Sequence, residues 1–276
     1  MQVTFHGVRG STPCDRDVIS RYGGNTSCVS VSAPGEDPLL FDLGTGLRYF
    51  GLEYDRRGQP FRGTCLLSHL HWDHVQGLPF FTPLRHETSE LVIYAPAQSD
   101  GRPSHDVLTE TICPPLFPIG LHDFPGRIEI CDAPERFRVG GYQVQSRAVP
   151  HVGETNGYRV SHGGASVAYV CDHQQPGASL RVDERVQELC SGVDLLIHDA
   201  QYTPAEFAAK STWGHCTVEY AVWLAAQVGA RRLALFHHDP DRDDELLDRL
   251  AEEARVCGSA MGVDVFAAAE GLSVTV

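Results

Sequence analysis

Apolar and polar positions along the chain alternate in short blocks, each closed by Gly, Pro or Asp. Strand-like runs fall near residues 2–6, 28–33, 38–42, 63–67, 91–95, 142–149, 165–170, 193–198, 231–236 and 263–267. Helical spacing is expected near Ser179 to Cys190, Thr217 to Val228 and Asp243 to Cys257. Thr217 opens the second of these as Thr-x-x-Tyr, a partial cap. The cluster Asp241-Arg242-Asp243-Asp244-Glu245 places carboxylates at the start of the third, where the helix dipole favours them. The pattern suggests two similar α/β halves. A Pro-rich stretch from Pro96 to Pro134 interrupts it and reads as an irregular excursion over the first half, either a lid or a plain surface loop.

Chemistry collects where the apolar runs end. The run Thr64-Cys65-Leu66-Leu67 leads into Ser68-His69-Leu70-His71-Trp72-Asp73-His74, four metal-competent side chains within six positions. Imidazole and carboxylate are the ligand types that hold zinc and related divalent ions. On an extended backbone, alternation aims His69, His71 and Asp73 one way, with His74 following around the turn. A chance histidine-rich loop is the bland alternative in a chain with 14 histidines. An ordered quartet at the tip of a buried strand argues against it.

Three more such residues close later runs: His151 after Ser146–Pro150, Asp172 after Ser166–Cys171, and His237 after Arg232–Phe236. With the quartet they resemble the signature of the metallo-β-lactamase superfamily. The segments Val3–Gly7 and Leu40–Gly46 also look like that family's first strands, so the likeness covers nearly the whole chain. The resemblance implies an α/β fold, a four-layer αββα sandwich of two mixed sheets flanked by helices, forming one domain over residues 1–276. It implies two Zn2+ per chain, with Mn2+ or Fe2+ as other occupants. One ion would take His69, His71 and His151, the other Asp73, His74 and His237, and Asp172 would bridge them. His238 and His173 adjoin two of these positions. Strand register favours His237, and a two-oxygen carboxylate is the better bridge.

A further pair of motifs, His198-Asp199-Ala200-Gln201-Tyr202 and Trp213-Gly214-His215-Cys216-Thr217, resembles the phosphodiesterase branch. That branch includes ribonuclease Z, the carbon-phosphorus-lyase-pathway phosphodiesterase and bacterial cyclic-nucleotide phosphodiesterases. The likeness implies that Asp199 orients His215 near the scissile phosphate and that Asp73 helps to orient an attacking water activated between the ions. The chain departs from the branch in carrying Asp199 where ribonuclease Z commonly has glutamate, and Cys216 where a hydroxyl residue is usual. The segments Gly7–Pro13 and Arg21–Cys28 resemble the cyclic-nucleotide members, and Arg9, Ser11 and Asn25 are the expected contacts to phosphate or base. The alternative is that these are turn residues beside the first strands. Ribonuclease Z carries an arm for transfer RNA between its third histidine and bridging aspartate. Here His151 and Asp172 are 21 positions apart, room for two strands and their turns, so a small phosphodiester is expected, with 3′,5′-cyclic nucleotides the leading class.

The bulk properties agree. A net charge of −14 over 276 residues argues against an extended nucleic-acid surface. No apolar run approaches a membrane span and the amino terminus does not read as a signal peptide, so a cytoplasmic protein without membrane contact is expected. Nine scattered cysteines, without a Cys-x-x-Cys pair, are expected to be reduced, with Cys216 a weak candidate nucleophile. Resemblance suggests a homodimer, with Trp213, Tyr220 and Trp223 in core or interface. Alternatives are a ribonuclease Z-like RNA endonuclease, a lactonase or thioesterase, and a non-catalytic metal-binding sensor.

Overall fold

A computed structural model of the chain describes residues 1–15, 17–177 and 180–276. The first sheet contains β1 (Gln2–Gly7), β2 (Cys28–Ser32), β3 (Leu39–Phe41), β4 (Arg62–Leu66), β5 (Glu90–Ala95) and β6 (Arg127–Asp132). The second contains β7 (Arg136–Val139), β8 (Tyr142–Ala148), β9 (Asn156–His162), β10 (Ala165–Val170), β11 (Leu195–Asp199), β12 (Arg232–Phe236) and β13 (Asp264–Ala267). The last strand, β14 (Ser273–Thr275), returns to the first sheet beside β1. Strand orders are β14-β1-β2-β3-β4-β5-β6 and β13-β12-β11-β10-β9-β8-β7. Each sheet is parallel at one end, β3 to β6 and β10 to β13, and antiparallel at the other.

Burial explains the layering. β10 and β11 are apolar almost throughout and buried on both faces, as inner parallel strands must be. β8 nearer the edge alternates buried and exposed positions. The inner faces of the two sheets meet through Phe5, Phe41, Tyr169 and Phe236, with the Phe41 and Tyr169 rings stacked at 4.6 Å. The outer face of the first sheet is covered by α1 (Gly46–Asp55), α2 (Trp72–Val75) and α3 (Ser104–Thr111). The second is covered by α4 (Glu184–Cys190), α6 (Val218–Gln227) and α7 (Asp244–Ala260), while α5 (Pro204–Lys210) follows β11. This is the αββα sandwich. Caps are local: the side chains of Asp183, Thr217 and Asp243 accept from Arg185, Tyr220 and Leu246 backbone N–H groups. Thr203 and Glu206 form a capping box ahead of Pro204.

The stretch from residue 96 to 134 is more regular than its prolines suggest, since it carries α3 and β6, the latter a paired strand of the first sheet. The expected beginning of the first predicted helix, Ser179, lies outside the described residues; α4 starts at Glu184. No helix among the described residues is long and apolar enough to cross a membrane. The strand carboxyl ends of both sheets converge on one edge, where open α/β sheets place their sites.

Candidate metal centre

The residues at those strand ends meet. His69 and His71 follow β4, and His71 immediately precedes α2, whose single turn carries Asp73 and His74. His151 follows β8, Asp172 follows β10, and His237 follows β12. Donor atoms of His69, His71, His151 and Asp172 lie within 4.8 Å of one another, as do those of Asp73, His74 and His237. Asp172 divides its carboxylate between the two groups. Oδ2 is 3.7 Å from His69 Nε2 and 3.5 Å from His151 Nε2, while Oδ1 is 3.3 Å from both His74 Nε2 and His237 Nε2. Asp73 Oδ2 is 3.2 Å from His74 Nε2 and 3.3 Å from His237 Nε2.

Four of the five imidazoles, all but His71, are aimed by their other nitrogen. His74 Nδ1 donates to Asp42 Oδ2 at 2.8 Å, His151 Nδ1 to the Gly214 carbonyl at 2.7 Å, and His237 Nδ1 to Gln201 Oε1 at 2.9 Å. Ser68 Oγ donates to Asp42 Oδ2 and so accepts from His69 Nδ1 at 2.9 Å. With the proton held on Nδ1 in all four, the Nε2 lone pairs face the cluster, the usual arrangement for metal-ligating histidine. His69 Nε2, His74 Nε2 and Asp172 Oδ1 are buried without a hydrogen-bond partner. Buried polar atoms are rarely left so, and this donor set fits divalent cations.

The charges fit as well. Burial alone would raise the Asp172 carboxyl, but positive charge on the facing His237, His74, His69 and His151, the charge that bound cations would replace, outweighs it and holds the group well below the usual carboxylate range. Burial also opposes ionisation of Asp73, and His74 and His237 reverse the balance. Both are anions where cations would sit. Ser11, Asp42 and His237 are non-glycine residues with positive φ, 61°, 58° and 58°. All three touch the cluster or its supports, a concentration of backbone strain that accompanies aimed side chains.

Beside the cluster, His215 Nδ1 donates to Asp199 Oδ2 at 2.9 Å, and the His215 ring stacks on His237 at 4.9 Å. Asp199 is fully buried and also accepts from the backbone of His173 and Gln201. Burial would lower the His215 pKa, but Asp199 outweighs it and raises the group above its ordinary value. A cavity of about 510 Å3 opens over this pair, lined among others by Ser11, His71, Gln201, Tyr202, Trp213 and His215. None of its lining comes from residues 96–134.

Two expected substrate contacts, Arg9 and Asn25, make hydrogen bonds within the protein. Arg9 is fully buried, its Nε donating to the Gly23 carbonyl and its Nη1 to the Asp239 and Arg242 carbonyls. It pins the first loop to the segment after β12. Asn25 is held by Glu270, through its backbone N–H at 2.6 Å and Nδ2 at 2.9 Å. Ser11 does reach the cavity, and its backbone N–H donates to Asp73 Oδ2 at 2.7 Å. The competing neighbours turn away: His238 Nε2 donates to the Ala268 carbonyl, and His173 Nδ1 to His198 Nε2. Cys216 is buried with Sγ donating to the His173 carbonyl, and burial raises its thiol well above the ordinary value, so it is no nucleophile. Asp42, Ser68, Gln201 and Gly214 were not singled out as supports from the sequence, although Asp42 closes an apolar run just as the ligands do.

Fold and site together define a metal-dependent hydrolase of the metallo-β-lactamase class. Residues 41–238 match the Beta-lactamase superfamily domain, and the chain belongs to that family. It is 27% identical over 285 residues to a protein named Ribonuclease Z from Synechococcus sp. (strain CC9311), covering 87% of this chain and 88% of that one. Its fold is similar to that of a diphosphatase from the PhnP family, at a TM-score of 0.72 and 20% identity over 100% of this chain and 97% of the other. It is also similar to Zn2+-bound PqqB from Methylobacterium extorquens, at a TM-score of 0.71 and 20% identity over 100% of both chains.

Proposed function

We propose that the protein is a dinuclear metal-dependent phosphodiesterase for small diesters, with 3′,5′-cyclic nucleotides the leading class and zinc the leading metal. The single observation that carries this reading is the division of Asp172 between two ligand groups, with Oδ2 toward His69 and His151 and Oδ1 toward His74 and His237. His69, His71 and His151 would hold one ion, Asp73, His74 and His237 the other, and Asp172 both. When bound, such a pair activates water and polarises a phosphoryl oxygen. The chain supplies the rest. Asp73, fixed by the Ser11 N–H, orients the attacking water by accepting its proton in a hydrogen bond. His215, oriented through its Nδ1–H by Asp199, which also favours the doubly protonated ring, gives its Nε2 proton to the departing alkoxide or steadies charge on the phosphoryl oxygens. A lactonase or thioesterase has no need of the Asp199–His215 pair, and a degenerate sensor would have shed ligands.

A ribonuclease Z-like RNA endonuclease is the second reading, favoured by the relatives of that name. The chain between His151 and Asp172 is occupied by the β9–β10 hairpin, closed by Gly163-Gly164 with φ of 59° and 87°, which leaves no arm there. The net charge of −14 points the same way. The deciding experiment is hydrolysis of cyclic AMP, cyclic GMP, the pyrimidine cyclic nucleotides and a precursor transfer RNA, with and without chelator. Turnover of a cyclic nucleotide that chelator abolishes supports the proposal. Cleavage of the RNA with no turnover of any cyclic nucleotide overturns it in favour of the second reading.

A further inference from the structure

We propose that Trp213, backed by Lys210, is a stacking platform that seats the base of a nucleotide diester beside the metal centre; this rests on the diesterase reading above. Trp213 is 61% exposed, an uncommon state for so large an apolar ring. It lines the same cavity as His71 and His215, so a ligand whose phosphate lies at the strand-end cluster extends its organic part along this ring.

The platform is built rather than loose. The Lys210 ammonium lies over the Trp213 ring at 5.5 Å and over the Tyr202 ring at 4.9 Å, and its Nζ is 3.5 Å from Asp239 Oδ2. Cation–π contact with Lys210 therefore backs one face of the indole. The backbone is tied down as well: Trp213 N–H donates to the Lys210 carbonyl at 3.0 Å, and the next residue, Gly214, donates to Gln174 Oε1 at 2.8 Å. The Gly214 carbonyl is the acceptor that aims His151. The stacking ring and a metal-facing imidazole are thus set by adjacent residues of one turn.

Aromatic side chains beside a phosphate-binding centre recognise bases by their π-faces, with little dependence on which base is present. A cavity of about 510 Å3 lies in the range of small-ligand sites. The ligand class assigned is a nucleoside phosphate diester, with purines and pyrimidines both accepted.

Two diesters with the same leaving group separate base recognition from chemistry: thymidine 5′-(p-nitrophenyl phosphate) and methyl p-nitrophenyl phosphate. The metal-loaded protein is expected to prefer the nucleoside ester in kcat/KM, with the preference falling about tenfold in Trp213→Ala and partly retained in Trp213→Phe. An unchanged preference in Trp213→Ala overturns the platform while leaving the diesterase reading intact. If neither ester is cleaved, the diesterase reading rests on the cyclic-nucleotide assay alone. Quenching of tryptophan fluorescence by thymidine 5′-monophosphate then decides the platform without turnover. Loss of the quench in Trp213→Phe, with Trp72 and Trp223 still present, supports it. No quench in the unaltered protein, or an equal quench in both, overturns it.

Discussion

His151 Nδ1 and the Gly214 carbonyl oxygen lie 2.7 Å apart, although 63 residues separate them in the chain. Gly214 adopts a φ of +96°, and a Cβ there would fall 2.5 Å from the His151 ring. Gly214→Ala is therefore expected to displace His151 and weaken metal binding by roughly 10–100-fold, the usual cost of disturbing a ligand's support. Competition with a chromogenic chelator measures it, and unaltered affinity would show that the turn does not position the ligand.

Asp42 accepts from the Ser68 backbone and hydroxyl, His74 Nδ1, Tyr169 Oη and Cys171 Sγ. An amide presents one acceptor oxygen where the carboxylate has two. Asp42→Asn is expected to lose metal at chelator concentrations that leave the unaltered protein loaded. Elemental analysis after dialysis checks this.

Asp199→Asn and His215→Ala are expected to separate turnover from metal content. Neither is a ligand in the proposed scheme, so bound metal should stay near the unaltered level while kcat falls about 10²–10⁴-fold, the range of a lost proton donor. Parallel kinetics and metal analysis make the comparison, and a matching loss of metal would assign both residues to the cation sites instead.

Metal should also stabilise the fold, because ions bind the native cluster and not the dispersed chain. At about 1,000 times the dissociation constant the gain is about 4 kcal/mol, which corresponds to roughly 10 °C in Tm for a chain of this size. Differential scanning fluorimetry with zinc and with EDTA reads the shift, and coincident curves would contradict cation binding.

His6 supplies a pH test away from the cluster. Burial lowers its pKa from 6.5 to about 4; its Nε2 lies 2.8 Å from Ser30 Oγ and its ring packs on Phe50. The unfolded chain thus binds the extra proton first as pH falls. The neutral histidine contributes its full stability above about pH 6.5 and loses it progressively down to about pH 4, by about 3 kcal/mol. His6→Leu should flatten that portion of the stability–pH curve relative to the unaltered protein. Urea denaturation at several pH values measures the difference.

Much of this architecture was visible in the apolar runs because its inner strands are buried on both faces; Ser166–Val170 and Leu195–Ile197 carry nothing but small or apolar residues. What was harder to see has a physical reason. Arg127–Ile130 alternates polar and apolar residues but lies among prolines that suggest a loop. The first helix contains Gly46 and Gly51, poor helix formers that pack where a Cβ would meet the His6 backbone and the Phe81 ring. The candidate ligand positions could be read because they follow β4, β8, β10 and β12 closely in the chain. The sequence could not show the partners of Arg9 and Asn25, because residues 239, 242 and 270, which meet them, are remote in the chain.

The three left-handed residues set heat tolerance against aim. At position 11, glycine would relax the turn and keep the N–H that Asp73 needs. At 42 and 237 the same change would discard the carboxylate or imidazole for which the turn exists. Selection for thermal endurance alone would therefore accept glycine at the first position and erode the chemistry at the other two, so a hardier version of this enzyme has to find its gains away from the strand tips.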